Sequence, residues 1–229
     1  MKKYPIYFTI LLAGFSVNSI AQAPQPVAPA QTATSAQTSS SVSFQTGSLI
    51  VTANFGIDGY ALKQHEVNNY NGQTYDTNTG AASRNFSIGA EYGVAKWLGL
   101  GLQFKFDNYY HDWTLQSALG VESGLIVNAH MIRHRHFDLL AGLNIGVSNL
   151  TITSIYNNYQ IYGSGSWVDL HFTAREYIGK FGFSETLYFP DINYNNLSSN
   201  VPVFNEYIVA SWKATGVGFN WGIQYHFLK

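Results

Sequence analysis

Seven histidines, and the acidic residues near them, are where chemistry would first be sought in this 229-residue chain. His130, His134 and His136 share a parity, and His226 is a fourth imidazole that a fold could bring beside them. Imidazoles at such spacing can ligate a metal ion. Arg133 to His136, however, read as a basic turn, where parity has little geometric meaning, so no metal is assigned. His111 precedes Asp112, and Asp58, His65 and Glu66 lie in another polar stretch. A histidine polarised by a carboxylate can activate a serine or a water. No serine stands in a specific nucleophile motif, so no catalytic residue is assigned and the protein is read as a non-enzyme. The absence of cysteine excludes disulfides, thiol catalysis and thiolate zinc sites. A net charge of −1 gives no electrostatic reason to expect nucleic acid.

A second polar set is spaced differently. Glu91, Lys105, Asp107, Asp138, Asp169, His171, Arg175 and Glu185 fall within runs that alternate large apolar residues with polar or small ones. Strict period 2 predicts β-strands with two unlike faces. The clearest run is the C-terminal Val217 to Phe227: Val, Phe, Trp, Ile, Tyr and Phe alternate with Gly, Asn, Gly, Gln and His. The large face is too apolar for water, and the other is too polar and too small for a packed core. That combination suits a barrel in lipid.

The alternation recurs. It predicts strands over roughly 47–57, 84–94, 97–108, 118–132, 137–148, 165–177, 181–189 and 207–227. Short connections at 95–96, 133–136 and 178–180 alternate with long ones at 58–82, 109–116, 149–164 and 190–205. All short turns then fall on one side and all long loops on the other, with both termini on the short-turn side. The fold class is all-β: an eight-stranded antiparallel up-and-down transmembrane barrel. Each predicted strand reaches the roughly 9–11 residues that cross a bilayer when tilted, the seventh marginally. Residues 1–21 read as a cleaved secretory signal, with Lys2 and Lys3 before an apolar run from Ile6 to Phe15 and small residues at Ser19 and Ala21. Residues 22–45 read as a Pro/Ala/Gln/Thr/Ser-rich periplasmic linker, and 46–229 as the barrel.

Barrel parity gives the polar set a place. Glu91, Lys105, Asp107, Asp169, Arg175 and Glu185 are expected inside, as a lumen network that is either structural or gating. Eight strands leave an interior just wide enough for side chains to fill, which favours the structural role. Glu91 is expected to pair with Lys105, or Lys105 with Asp107 or Asp169, and Arg175 with Glu185. Strand 7 is ambiguous: Glu185 shares a parity with Phe181, Phe183 and Leu187, and a bulge would be needed to bring it inward. Trp97, Tyr109, Trp113, Trp167 and Tyr225 fall near strand ends and are expected in interfacial girdles.

The unit Glu91-Tyr92-Gly93-Val94-Ala95-Lys96-Trp97-Leu98-Gly99-Leu100-Gly101 and the closing Trp221-Gly222-Ile223-Gln224-Tyr225-His226-Phe227 resemble the small eight-stranded outer-membrane β-barrels of Gram-negative bacteria, the OmpA/OmpX/OmpW-like group. In that group the last residue is usually the aromatic one; here Leu228 and Lys229 follow Phe227. The resemblance implies an outer-membrane location and a C-terminal signature of Trp221, Tyr225 and Phe227 read by the barrel-insertion machinery. The expected partners are outer-membrane lipids and lipopolysaccharide, with no cofactor and a monomeric state. The expected role is structural or surface interaction. A passive channel for small or hydrophobic solutes and a rim-located hydrolase are the alternatives.

Overall fold

The computed structural model describes residues 43–68, 71–110, 116–154, 160–195, 197–200 and 207–227. The strands are β1 (Leu49–Asn68), β2 (Thr74–Gly93), β3 (Leu98–Tyr110), β4 (Gln116–Arg133), β5 (Phe137–Ser154), β6 (Gln160–Ile178), β7 (Phe181–Asn195), the two-residue β8 (Ser198–Ser199) and β9 (Tyr207–Phe227). Each long strand pairs antiparallel with its sequence neighbour, β7 pairs with β9, and β9 returns to β1. The result is a closed ring of 8 strands. Closure leaves no unpaired edge, as a sheet in hydrocarbon requires. The ring is pinned at the turn side by Leu49 opposite Phe227.

Over the turn-side half, side chains follow the predicted parity. Phe55 (61% exposed), Leu102 (55%) and Ile223 (60%) point outward. Ser87, Lys105, Asp107 and Glu122 point inward and are fully buried. Such an outer face is costly in water and matches a bilayer's hydrocarbon layer.

The strands are longer than predicted at their loop-side ends. Much of 58–82, 149–164 and 190–205, expected as loops, is strand. Alternation continues there with its polarity reversed. On β1, Tyr60 and Leu62 point inward and are buried, while Gly59, Ala61 and Lys63 are exposed. A search for apolar residues outside and polar ones inside passes over this half. The reversal has a simple cause. Below, lipid surrounds the wall and polar groups must turn inward; above, water surrounds it and apolar groups must.

Glu185 corrects a further expectation. β7 keeps regular register through this position, and Glu185 faces outward, opposite Ala174 and Trp221. Phe181, Phe183, Leu187 and Phe189 share its parity and are exposed. Burying four large apolar side chains in the lumen would cost more than exposing one carboxylate near the turn-side end, where the membrane penalty is smaller.

The packed body also begins earlier than residue 46. Ser43 and Phe44 are buried, and Phe44 belongs to a small cluster with Ile50 and Tyr177.

Candidate functional site

The lumen holds the polar residues, stacked in levels. At the turn-side mouth, residues 43–48 form a strap. One end is held to β2 by Gly47 N donating to Gly93 O (2.8 Å). The other end reaches the β4–β5 turn, where Ser43 N donates to His134 O (3.1 Å) and Ser43 Oγ to Phe137 O (3.2 Å). Between these anchors the Phe44 ring lies flat on His130, with centroids 3.5 Å apart and planes 9° from parallel.

Above the strap is the first charge cluster. His130 is held between Glu91 Oε1 and Asp138 Oδ2, both at 2.7 Å. Arg175 donates from Nη2 to Glu91 Oε2 at 2.7 Å. These groups come from β2, β4, β5 and β6, so the cluster ties four strands across the lumen. Gly99 makes room for it: a side chain there would overlap the Glu91 carboxylate.

A cavity of ≈ 60 Å³ follows, lined by Asn54, Gln103, Asn128, His171, Thr173 and Asn220 among others. Asp169 and His171 meet here at 3.2 Å, with Asn144 donating to Asp169 (2.9 Å) and His171 Nε2 lying 2.9 Å from Asn128.

The second charge cluster lies above the cavity. Lys105 Nζ is 2.8 Å from Asp107, 3.4 Å from Asp58 and 3.6 Å from Glu122. Asp58 also accepts from Ser83 (2.9 Å), Asn85 (3.1 Å), Tyr60 (3.0 Å) and Tyr188. Three carboxylates thus gather on one ammonium, which also lies 4.9 Å from the Tyr188 ring centroid. Above this the lumen is apolar. Tyr60, Leu62, Tyr109, Leu150, Trp167, Tyr194 and Trp212 pack as one buried core, with Tyr194 and Trp212 stacked at 5.6 Å.

The predicted site residues therefore divide. Glu91, Lys105, Asp107, Asp169 and Arg175 all point into the lumen and are buried. Glu91 and Lys105 do not pair. Glu91 stands opposite Gly101 on β3, four residues below Lys105, or about 13 Å along a strand. Each takes a nearer partner instead: Arg175 for Glu91, Asp107 for Lys105. Arg175 stands opposite Ser184 rather than Glu185, which removes that expected pair.

Among the aromatics, Trp97 and Tyr225 are on the outer side near the turns, and Trp221 and Phe227 share that face of β9. Tyr109 and Trp167 are not girdle residues. They point inward at 2% and 0% exposure, because both lie in the half where polarity is reversed. Trp113, like His111 and Asp112, falls outside the described residues. His65 contacts Asp76 at 2.6 Å on the outer wall. His134 and His136 are exposed in the turn, while His130 and His226 are buried. Among the described residues no group of three or more His, Cys, Asp or Glu side chains is arranged to hold a metal ion.

Glu122, Tyr188 and Phe44 are not among the candidates, and Asp58 is one only as a rim residue beside His65 and Glu66, not as a lumen residue. Asp58 was assigned to a loop, although its parity continues that of Asn54 and Gly56. Phe44 is a lone large apolar group beside a polar tract, and that is the signal it offered.

No protein-family model matches the chain, and no curated protein matches it. Solved structures do. The outer-membrane protein OprG of Pseudomonas aeruginosa superposes with a TM-score of 0.53 at 15% identity, over 81% of this chain and 98% of that one. The outer-membrane protein AlkL, solved in DMPC bilayers, gives a TM-score of 0.51 at 12% identity, over 90% and 98%. The outer-membrane protease OmpT of Escherichia coli gives 0.40 at 9% identity, over 82% and 99%. The first two matches, with the closed antiparallel ring and its apolar outer belt, identify the fold as that of the small eight-stranded outer-membrane β-barrels.

Proposed function

We propose that the protein is an integral outer-membrane protein of structural or surface-interaction type, without catalysis, exported through a signal cleaved before Gln22. The observation that carries this reading is the filled lumen. The strap with Phe44, the Glu91–His130–Asp138–Arg175 cluster, the Lys105 cluster and the apolar cap succeed one another along the axis. The cavity between them, ≈ 60 Å³, has room for only a few waters. A barrel so filled is a rigid anchor. Its strands continue beyond the apolar belt and carry the loops away from the membrane surface.

The reading is tested by electrical recording of the purified barrel in planar bilayers. A flat baseline is expected. Stepwise conductance would overturn it in favour of the passive channel. Hydrolysis of peptide or ester substrates, lost on His111→Ala, would favour the rim enzyme.

A further inference from the structure

We propose that the strap, residues 43–48, is a proton-dependent latch on the turn-side mouth: Phe44 holds it down on a charged His130, and it lifts about Gly47 when that ring gives up its proton. Ionised carboxylates only accept hydrogen bonds. His130 meets one at each ring nitrogen, Glu91 Oε1 and Asp138 Oδ2, both at 2.7 Å. A neutral imidazole has a single N–H and would turn a lone pair on one of them. The imidazolium donates to both, so the latched geometry contains the proton.

The charges around the ring agree. Arg175 lies 2.7 Å from Glu91 and 3.9 Å from Asp138. With His130 charged, two cations face two carboxylates in a place without solvent. Without the proton one negative charge is left over, which burial penalises. The nearest inward positions of β1, β3 and β7 are Ile50, Gly99 and Ser184, which carry no charge. Arg133, opposite Asp138, is turned to the Lys96 carbonyl. His136 meets the Tyr177 carbonyl at 3.2 Å, and His134 is exposed in the turn. Neither His226 Nε2 nor the Tyr177 hydroxyl, in the same mouth, reaches a hydrogen-bond partner. No group but His130 stands between the two carboxylates.

Phe44 couples this quartet to the strap. Its ring lies flat on the imidazole at 3.5 Å, so a positive ring attracts it more than a neutral one does. The imidazole cannot turn away from a carboxylate without displacing Phe44, which is fully buried. The far anchors of the strap, from Ser43 to His134 O and Phe137 O, sit on the turn that His130 and Asp138 flank. Its near end is Gly47, with φ at 84°, a left-handed conformation that glycine adopts without strain. The strap thus has a hinge at one end and, at the other, groups that move with the quartet. Lifting it opens the quartet and the ≈ 60 Å³ cavity behind it to water. The apolar cap on the loop side stays shut, so the result is a vestibule and not a pore. The flat baseline expected above holds in both states. The strap is held while the ring is charged and the carboxylates are ionised. It is released as pH rises through the His130 titration, and its hold also weakens at acid pH, where Glu91 and Asp138 take up protons.

The test uses the full-length barrel inserted in lipid nanodiscs, with a single spin label on Gln45→Cys in a chain that has no other cysteine. The spectrum of the label reports the strap. Nitrogen NMR of isotope-labelled histidine reports whether both nitrogens of His130 carry protons. From neutral to alkaline pH the label is expected to pass from an immobilised to a mobile spectrum, at the same midpoint at which His130 loses its second N–H. His130→Gln is expected to abolish the transition. Phe44→Leu keeps the bulk of the strap but not its ring, and is expected to lower the midpoint by up to about one pH unit. A label on Lys180→Cys, on the same rim, is expected to show no transition. The proposal is overturned if the strap label stays immobilised throughout, or if His130→Gln keeps the transition. It is also overturned if the label and the ring change at different pH, a comparison made in the unaltered quartet, which decides the matter even where His130→Gln does not insert.

Discussion

Arg175 and Glu91 meet at 2.7 Å, both nearly without solvent, on strands that are not neighbours. Breaking one partner of a buried pair strands the other charge, at a cost of about 3–5 kcal/mol. Glu91→Gln and Arg175→Met are each expected to lose stability on that scale, and the double variant less than their sum. Urea unfolding in lipid vesicles measures this, and strict additivity would deny the pair. Leu102→Arg puts a cation on the lipid face, for about 2–4 kcal/mol, whereas Gln103→Arg points into the lumen and is expected to cost less. Equal losses in the same assay would deny the assigned faces. At this scale the sequence told which way most side chains point, because parity is local. It did not tell which charges pair. Arg175 and Glu91 become neighbours only when the ring closes, and strand-by-strand counting never sees across the lumen.

The strands themselves were legible where lipid imposes its pattern and illegible where water does. β3 was found nearly whole because Leu98 to Phe106 keep apolar groups outside. The upper half of β1 was missed because Tyr60 and Leu62 are the apolar ones and face in. The reversed half makes its own prediction. Leu62→Arg should destabilise by roughly the 2–5 kcal/mol of a core disruption, and Ala61→Arg by less than about 0.5 kcal/mol, as on an ordinary wet surface. The strap is a second element with a testable role. Phe44 covers His130, so Phe44→Ala is expected to make His130 reactive to diethyl pyrocarbonate in the folded barrel. Mass spectrometry of the modified protein reads this. Unchanged protection would mean that other groups seal the mouth.

At the scale of the whole molecule, one wall serves two solvents. The turn-side half is a membrane barrel with a polar interior. The loop-side half is a water-soluble barrel with an apolar interior, and the two share continuous strands. Site-directed spin labelling along β1 tests this most directly, and a chain without cysteine accepts single labels cleanly. In vesicles, labels at positions 49, 51, 53, 55 and 57 should collide with oxygen, the lipid-soluble probe. Labels at 61 and 63 should collide with a water-soluble nickel chelate, and labels at 60 and 62 with neither. The predicted trace is one strand of constant parity whose outer face passes from lipid to water between Ile57 and Ala61. Chelate access at 60 and 62 equal to that at 61 and 63, or oxygen access at 61 and 63 matching that at 55 and 57, would contradict the account.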